Sequence, residues 1–446
     1  MSKITPFTIN IPDAQLDQLH HKLEHVTFPD EIDAVDWQMG VPLKEMKRLT
    51  AFWRDNFDWR AQEKTLNEQL HQFTVPISVD GFGELDIHFL HHRSGNLNAI
   101  PLLFIHGCMI LSLDIRGPHN GQSWPGSFLE ATKLIPLLTT GNDGPSFDVI
   151  APSLPNFGFS QGVQQLIIRQ KGFGLAQYAE CLHKVMIALG HQEYVIQGGD
   201  WGSMIARTMS QYYAQHIRAI HLNFVPVKPP YPWQNPVRFL KSLTSVPFST
   251  KDRAAIARTM DYVLRGNAYM KQQETRPQSL GYGLSDSPIG LLAWIYDKMH
   301  LWTDNYPWTD EEILTWISVY WFSRPGPTAS TRIYYEASAP KSDSSGLRTE
   351  DGGEVALKYT SLEEVLGACA PFNVKFAVAQ FPKEILMWPM AWYHRIGNVV
   401  KEKEFDRGGH FAAWEVPELL AGDLKEFLGK DGPAYGVVQG KNGYKS

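Results

Sequence analysis

Short, largely apolar runs that alternate with helix-like segments dominate the middle of the chain. Residues 101–105, 147–151 and 194–198 form such runs, which are typical of strands buried on both faces of a parallel sheet. Between the runs, apolar residues return every three or four positions, as at residues 172–189, and this spacing indicates helices. The fold class is therefore α/β, and residues that end the strands should gather at one edge of a mostly parallel sheet flanked by helices.

Changes in this pattern predict four regions. Residues 1–92 combine an amphipathic helix at 12–26 with two alternating strands, and we expect a segment that wraps around the main domain. The sheet strands fall in residues 93–227 and again in residues 346–446. Between them, residues 228–345 begin with a cluster of prolines and continue as aromatic-rich helical segments, which predicts an inserted helical cap. The Gly/Lys-rich tail from Gly429 onward is expected to fray.

Composition narrows the class of protein. With 43% hydrophobic and 20% charged residues among 446, the chain has the composition of a soluble globular protein. A net charge of −6 argues against nucleic-acid binding. The three cysteines are scattered without a metal or disulfide pattern, and no apolar run approaches the ~20 residues of a membrane span. We therefore expect a cytoplasmic protein.

One stretch carries the first chemical signal. The run at 194–198 leads into Gly198, Gly199, Asp200, Trp201 and Gly202, followed by a helical pattern. Small residues on both sides of Asp200 allow a strained turn that lifts its side chain above the sheet. This is the shape of the nucleophile elbow, Gly-x-Ser-x-Gly, with Asp in place of Ser. The alternative is an ordinary turn in which Asp200 only caps the helix.

Aspartate at an elbow selects a particular chemistry. A carboxylate is anionic at neutral pH, so it can attack a saturated carbon without a base and leave an ester that water can cleave. An Asp200 elbow therefore predicts covalent opening of an epoxide or removal of a halide, with no metal or organic cofactor.

An ester on Asp200 requires a base, an orienting acid and a proton donor. His410 follows Gly408 and Gly409 in the last loop, where a base is expected after the nucleophile and the acid in chain order. Glu384 follows the strand at 374–380 and is the preferred orienting carboxylate. Its rivals are Glu402, Glu404 and Asp406. A cap tyrosine can donate to the opened ring oxygen, but the residues alone leave seven candidates open: Tyr262, Tyr269, Tyr282, Tyr296, Tyr320, Tyr334 and Tyr335.

Four motifs together resemble the microsomal-type epoxide hydrolases, including their soluble fungal members. The resemblance extends to the N-terminal segment and so covers nearly the whole chain; the motifs are Gly-Gly-Asp-Trp-Gly at 198–202, Gly-His-Phe-Ala-Ala-Trp-Glu at 409–415, Ser-Asp-Ser-Pro-Ile-Gly-Leu at 285–291 and Trp-Pro-Gly-Ser-Phe-Leu-Glu at 124–130. It implies an α/β-hydrolase fold, a small apolar epoxide as substrate and a vicinal diol as product. Relatives also suggest a homodimer. Mammalian members carry an N-terminal membrane anchor, and this chain begins without one, which favours the soluble branch.

The resemblance also assigns roles to residues. It implies that Asp200 is the nucleophile, His410 the general base and Glu384, after Phe-Pro-Lys at 381–383, the orienting acid. Tyr269 and Tyr334 correspond to the two donors to the epoxide oxygen, with Tyr335 as a one-residue rival of the latter.

One motif departs from the family pattern. Relatives run His-Gly-Trp-Pro-Gly without a break, whereas here residues 108–123 separate His106 and Gly107 from Trp124. This turn is expected to supply one N–H of the oxyanion hole, from Cys108, while Trp201 supplies the other. Losing one such donor costs about 10²–10³ in rate. Two interpretations are open: a retained intron in the gene model, or a genuine surface loop. Residues 164–170 and the loop at 339–371 are also longer than the resemblance leads us to expect.

Two alternative functions are carried forward. A haloalkane dehalogenase shares the Asp elbow but needs halide-binding donors in place of the tyrosine pair. A member of the family impaired by the 108–123 insertion would bind without turnover.

Overall fold

A computed structural model describes residues 3–107, 125–141, 144–163, 172–230, 249–338 and 362–445, with short stretches at 236–237, 239–240, 246, 347–348 and 354–355. In this part of the chain a nine-stranded sheet has the order β1-β2-β3-β5-β4-β6-β7-β10-β11. Its strands are β1 (Thr5–Pro6), β2 (Gln72–Val79), β3 (Gly83–His92), β4 (Ile100–Ile105), β5 (Phe147–Pro152), β6 (Tyr194–Gly198), β7 (Ile217–Leu222), β10 (Lys375–Gln380) and β11 (Asn398–Glu404). β8 (Leu347–Arg348) and β9 (Glu354–Val355) pair separately.

The sheet is parallel where the apolar runs predict it. In the sheet, neighbouring strands pair in parallel along the series β5-β4-β6-β7-β10-β11. Strands β1, β2 and β3 pair antiparallel, and β3 joins β5 antiparallel. Every residue of β4 and β6 is buried, because helices cover both faces of the central strands. The carboxyl ends of β6, β10 and β11 therefore lie at one edge of the sheet, where the candidate residues follow them.

Helices occur in the N-terminal segment and between the strands of the sheet. Those before the cap are α1 (Asp13–Glu24), α2 (Leu43–Asp55), α3 (Trp59–Gln69), α4 (Ile135–Thr139), α5 (Leu175–Ala188) and α6 (Asp200–Tyr212). Helix α1 packs against α2 and against a cap helix, and α2 and α3 also contact the cap. The N-terminal segment therefore links the sheet to the cap.

Between β7 and β10, residues 250–338 are mainly helical. The helices between these strands are α7 (Thr250–Asp261), α8 (Ala268–Thr275), α9 (Pro277–Asp286), α10 (Pro288–Leu301), α11 (Asp310–Trp321), α12 (Arg332–Ser338) and, after β9, α13 (Leu362–Gly367). The remaining helices are α14 (Met390–Tyr393), α15 (Ala412–Glu415) and α16 (Pro417–Leu428). Among the described residues, no helix combines the length and apolar character that crossing a bilayer requires.

The expectation of a frayed tail was wrong. Ala434 and Val438 are buried, and Gly443 donates from its backbone N–H to Asn98 and accepts from Ser146. The tail is held because these backbone bonds attach it to the start of β4 and β5. Glycine content indicated flexibility, but it does not reveal long-range partners.

Candidate active site

Asp200 lies at a strained turn between β6 and α6. Its φ is +54°, a left-handed conformation that a non-glycine residue adopts at a cost of about 1–3 kcal/mol. The turn needs glycine nearby: a Cβ on Gly202 would lie 2.1 Å from the carbonyl oxygen of Ile105. The N-cap of α6 is Gly199, and no side chain caps this helix. The capping alternative for Asp200 is therefore wrong, and the residue has the backbone of a nucleophile elbow.

The structure brings Asp200, His410 and Glu384 into one hydrogen-bonded chain. His410 Nε2 lies 3.1 Å from Asp200 Oδ2, and His410 Nδ1 lies 2.8 Å from Glu384 Oε1. All three residues are buried, with 7% exposure or less. Asp200 Oδ1 has no hydrogen-bond partner among the described residues. One carboxylate oxygen is thus bonded to the imidazole while the other is left for a reaction.

Burial and mutual charge set the protonation of the pair. Burial raises the pKa of Asp200 to about 7, against the opposing effect of its hydrogen bond and charge interaction with His410. Burial alone would lower the pKa of His410, but the charges and hydrogen bonds of Glu384 and Asp200 outweigh it and raise that pKa to about 10. At neutral pH the imidazole is therefore protonated, while Asp200 passes between its neutral and its ionised form.

The rivals of Glu384 lie elsewhere. Glu402 Oε1 is 2.9 Å from His394 Nε2, and Glu404 forms an ion pair with Lys251. Both are on β11, whose side chains are largely half-buried or exposed, and Asp406 is exposed. Among the described residues, Glu384 is the carboxylate bonded to His410 Nδ1.

Residues of the cap hydrogen-bond to the loops that carry Glu384 and His410. No sequence pattern pointed to these contacts. Arg258 on α7 donates from Nε to the backbone carbonyl of Glu384 at 2.6 Å. Trp302, after α10, accepts the backbone N–H of His410 at 2.8 Å, and its ring centroid lies 5.5 Å from that of His410. Asp304 accepts the N–H of Gly408 at 3.0 Å. The cap therefore helps to position Glu384 and His410.

Glu415 is a further buried carboxyl beside the His410 loop. Its two oxygens accept the backbone N–H groups of Gly409 at 2.7 Å and Asp304 at 2.8 Å. Burial raises its pKa to about 7, although these two bonds act in the opposite direction. The last residue of the Gly-His-Phe-Ala-Ala-Trp-Glu motif thus holds the loop that presents His410.

The two predicted tyrosines are buried on adjoining cap helices. Tyr269 on α8 and Tyr334 on α12 are 7% and 0% exposed, and these two helices pack together. The Tyr334 ring meets the Trp201 ring edge-on at 6.3 Å, while Tyr269 packs against Trp302 at 5.6 Å. Tyr335 is 46% exposed, so of the two neighbours Tyr334 is the one that faces the elbow.

Tyr269 has two close neighbours in the cap, Tyr262, which is another of the seven candidate tyrosines, and Lys298. Its hydroxyl lies 2.6 Å from the hydroxyl of Tyr262. The ammonium of Lys298 lies 5.1 Å from its ring centre, within cation–π distance. Both contacts restrict the Tyr269 ring in the cap.

The interrupted motif closes on itself in space. A Cβ placed on Gly126 would lie 1.6 Å from the carbonyl oxygen of Gly107, and one on Gly107 would lie 2.3 Å from Asp200 Cβ. Residues 107 and 126 are therefore in contact beside the nucleophile. Trp316 holds the far side of the turn, since its Nε1 donates to the carbonyl of Pro125 at 3.0 Å. Cys108, the predicted oxyanion donor, lies outside the described residues, as does Trp124.

Trp201, the other predicted oxyanion donor, is described. It is fully buried at the start of α6, and its backbone N–H acts to lower the pKa of the Asp200 carboxyl. The N–H therefore lies close to the Asp200 carboxyl group.

Comparisons with known proteins identify the family of this chain. The family described as "Epoxide hydrolase N terminus" matches residues 4–110, and that described as "alpha/beta hydrolase fold" matches residues 100–245. Epoxide hydrolase 1 of Sus scrofa is 31% identical over 96% of this chain and 88% of the relative. The chain belongs to the epoxide hydrolase family.

Two further epoxide hydrolases extend the comparison. Juvenile hormone epoxide hydrolase 1 of Ctenocephalides felis is 30% identical over 96% of this chain and 87% of its own length. The solved structure of Aspergillus niger epoxide hydrolase shares 30% identity, covers 95% of this chain and 96% of that one, and superposes with a TM-score of 0.75. The resemblance read from the motifs and the α/β-hydrolase fold are both confirmed, and the chain is a hydrolase of the epoxide hydrolase family.

Proposed function

We propose that this enzyme converts a small apolar epoxide and water to a vicinal diol through a covalent ester on Asp200. The observation that carries the proposal is the hydrogen-bonded chain from Asp200 to His410 to Glu384 at a turn with positive φ. A carboxylate presented in this way is a nucleophile for a strained carbon–oxygen bond. No metal or organic cofactor takes part in the proposed reaction.

In the first step Asp200 Oδ1 attacks the less hindered epoxide carbon, and the carbon–oxygen bond of the ring breaks. The choice of oxygen follows from the hydrogen bonds, since Oδ2 is bonded to His410 and Oδ1 has no partner among the described residues. Tyr269 and Tyr334 hydrogen-bond to the ring oxygen and stabilise charge as it develops. The burial of both rings and the packing of Tyr334 on Trp201 support these roles.

In the second step water cleaves the ester. Esterification neutralises Asp200, which removes one of the two carboxylates that hold the pKa of His410 high. The imidazolium then releases its proton to the alkoxide and becomes a neutral base that Glu384 keeps oriented. His410 deprotonates a water molecule, which attacks the carbonyl carbon while the N–H of Trp201 hydrogen-bonds to the oxyanion. The same histidine therefore acts as an acid first and as a base afterwards.

The test uses styrene oxide and three proteins. Asp200→Asn should form no diol, because the amide is a poor nucleophile, and His410→Gln should form the ester but hydrolyse it at least about 10²-fold more slowly. Intact-protein mass spectrometry and diol assay measure both steps. Diol formation by Asp200→Asn at the wild-type rate would remove Asp200 from the mechanism, and a haloalkane consumed in place of the epoxide would favour a dehalogenase.

We also propose that the protein works in the cytoplasm. The two described cysteines, Cys181 and Cys369, are both free thiols, as a reducing compartment favours. The homodimer suggested by relatives stays a prediction, which light scattering of the purified protein would check.

A further inference from the structure

A small cavity lies against the nucleophile on the sheet side. Polar groups of Glu130, Gln197, Asp200, Asn223 and His410 line it together with backbone and apolar atoms, and its volume is about 10 Å³. That is roughly the space of one water molecule. It is far too small for an epoxide and its substituents, so it is a place for the second reactant rather than the first.

Two oxygen atoms in the lining of this cavity have no hydrogen-bond partner among the described residues. Gln197 is 1% exposed, and while its Nε2 donates to Asn223 Oδ1 at 2.8 Å, its Oε1 has no partner among the described residues. Asp200 Oδ1 also has no hydrogen-bond partner among the described residues. Leaving a buried polar atom without a partner costs about 1–3 kcal/mol. One water in the cavity could serve these acceptors, which is the usual reason for a buried water.

Glu130 brings a further carboxyl to the cavity, and neither the motifs nor the proposed reaction assigned it a role. It lies in a short 3₁₀ turn at Phe128–Ala131 and forms a capping box with Ser127, whose N–H donates to Glu130 Oε1 at 3.1 Å. The backbone N–H of Gly107 also acts to lower the pKa of this carboxyl. The bond from Ser127 and the contacts of Gly126 with Gly107 and Glu130 place the carboxyl between the ends of the interrupted motif.

The charge of Glu130 is coupled to the reacting groups. Burial raises its pKa to about 8; the charge of His410 acts to lower that pKa and the charge of Asp200 acts to raise it. The carboxyl is therefore close enough to sense both residues, and it is 8% exposed. A glutamate that only caps a helical turn can do so at the protein surface. The burial of Glu130 beside Asp200 therefore calls for a further explanation.

We propose that Glu130 and Gln197 hold the water molecule that His410 activates to cleave the ester on Asp200. This inference rests on the ester mechanism proposed above and adds the site from which its water comes. The water donates one hydrogen to His410 Nε2 and the other to Glu130 or Gln197. Its oxygen bonds to Asp200 Cγ as the first hydrogen passes to the imidazole, and when the ester C–O bond breaks, that proton goes to the departing diol oxygen. Glu130 is a positioning residue and exchanges no proton.

The two steps of the reaction separate this role from a structural one. In Glu130→Gln the amide oxygen can still accept from Ser127, so the turn is retained while one carboxyl oxygen is replaced by an amide N–H donor. We expect ester formation to stay within about twofold of wild type and ester hydrolysis to slow about 10- to 100-fold, because a misplaced water loses that much. Rapid mixing with styrene oxide, followed by acid quench and intact-protein mass spectrometry, measures both rates.

Two further variants complete the test. Gln197→Met removes the second acceptor and should slow the same step, so that the proposal can be tested even if Glu130→Gln misfolds. Glu63→Gln is the matched control, since Glu63 is also buried and accepts a backbone N–H, from Ile11 at 2.7 Å, in the N-terminal segment; both of its rates should equal those of wild type.

The outcomes distinguish this inference from the proposed function. If no ester forms in wild type or in His410→Gln, the ester mechanism fails and the water site with it. If the ester forms and both Glu130→Gln and Gln197→Met hydrolyse it at the wild-type rate, the water site is overturned while the mechanism stands. Equal slowing of ester formation and hydrolysis in both variants would show that these residues only support the fold.

Discussion

At the scale of single residues, the hydrogen-bonded chain of Asp200, His410 and Glu384 was predictable because each residue carries a local signal. Asp200 lies among glycines, His410 follows two glycines and Glu384 follows a strand. Glu130 has a weaker signal: Ser127 and Glu130 are spaced as a capping box, which predicts a turn and gives no hint of a cavity. The raised pKa values of Asp200 and Glu130 depend on burial, and burial depends on the whole fold.

The raised pKa of Asp200 predicts how ester formation varies with pH. Since the attacking group must be ionised and burial raises its pKa to about 7, the rate of ester formation should fall roughly tenfold for each pH unit below that value and level off above it. Stopped-flow tryptophan fluorescence in single turnovers between pH 5 and about pH 9 measures this rate. A rate that stays constant across the range, with the protein still folded, would contradict a raised pKa.

At the scale of elements, the turn between β4 and the 3₁₀ turn at Phe128–Ala131 is the least expected feature. Its two ends, Gly107 and Gly126, touch each other, although 18 residues separate them in the printed sequence. Pattern analysis could see the interruption of the motif, but it could not say whether the ends come together, because that depends on the cap helix α11 holding Pro125.

This contact predicts the effect of deleting residues 108–123. The joined chain reads His-Gly-Trp-Pro-Gly, and the proximity of Gly107 and Gly126 means that a short turn can replace the long one. If the insertion displaces the N–H that follows Gly107, the deletion should raise the diol rate by up to about 10²–10³-fold. Diol assay and thermal unfolding of both forms measure activity and stability.

The deletion also decides between the two origins of the segment. A folded shortened protein with a large gain would support a retained intron and an impaired long form. A folded protein without gain would count against that interpretation, and a shortened protein that does not fold would make residues 108–123 a genuine part of the structure.

At the scale of the whole molecule, the α/β sheet followed from the apolar runs, since buried parallel strands have few alternatives. The contacts that hold the loops of Glu384 and His410 could not be predicted from the apolar runs. Arg258, Trp302 and Asp304 make these contacts from a separate part of the chain. The prediction of a frayed tail was wrong for the same reason, because the backbone partners of the tail, Asn98 and Ser146, are distant in sequence. Long-range backbone bonds leave no periodic trace in a sequence, whereas strands and helices do.

The central claim is that the oxygen added to the epoxide comes from Asp200 and is replaced there by water. One turnover of excess enzyme on styrene oxide in ¹⁸O-enriched water tests it, with mass spectrometry of both the diol and the peptide that contains Asp200. The account predicts that ¹⁸O enters the Asp200 carboxylate and is absent from the first diol formed. Heavy oxygen in that diol, with the Asp200 peptide unlabelled, would contradict the account.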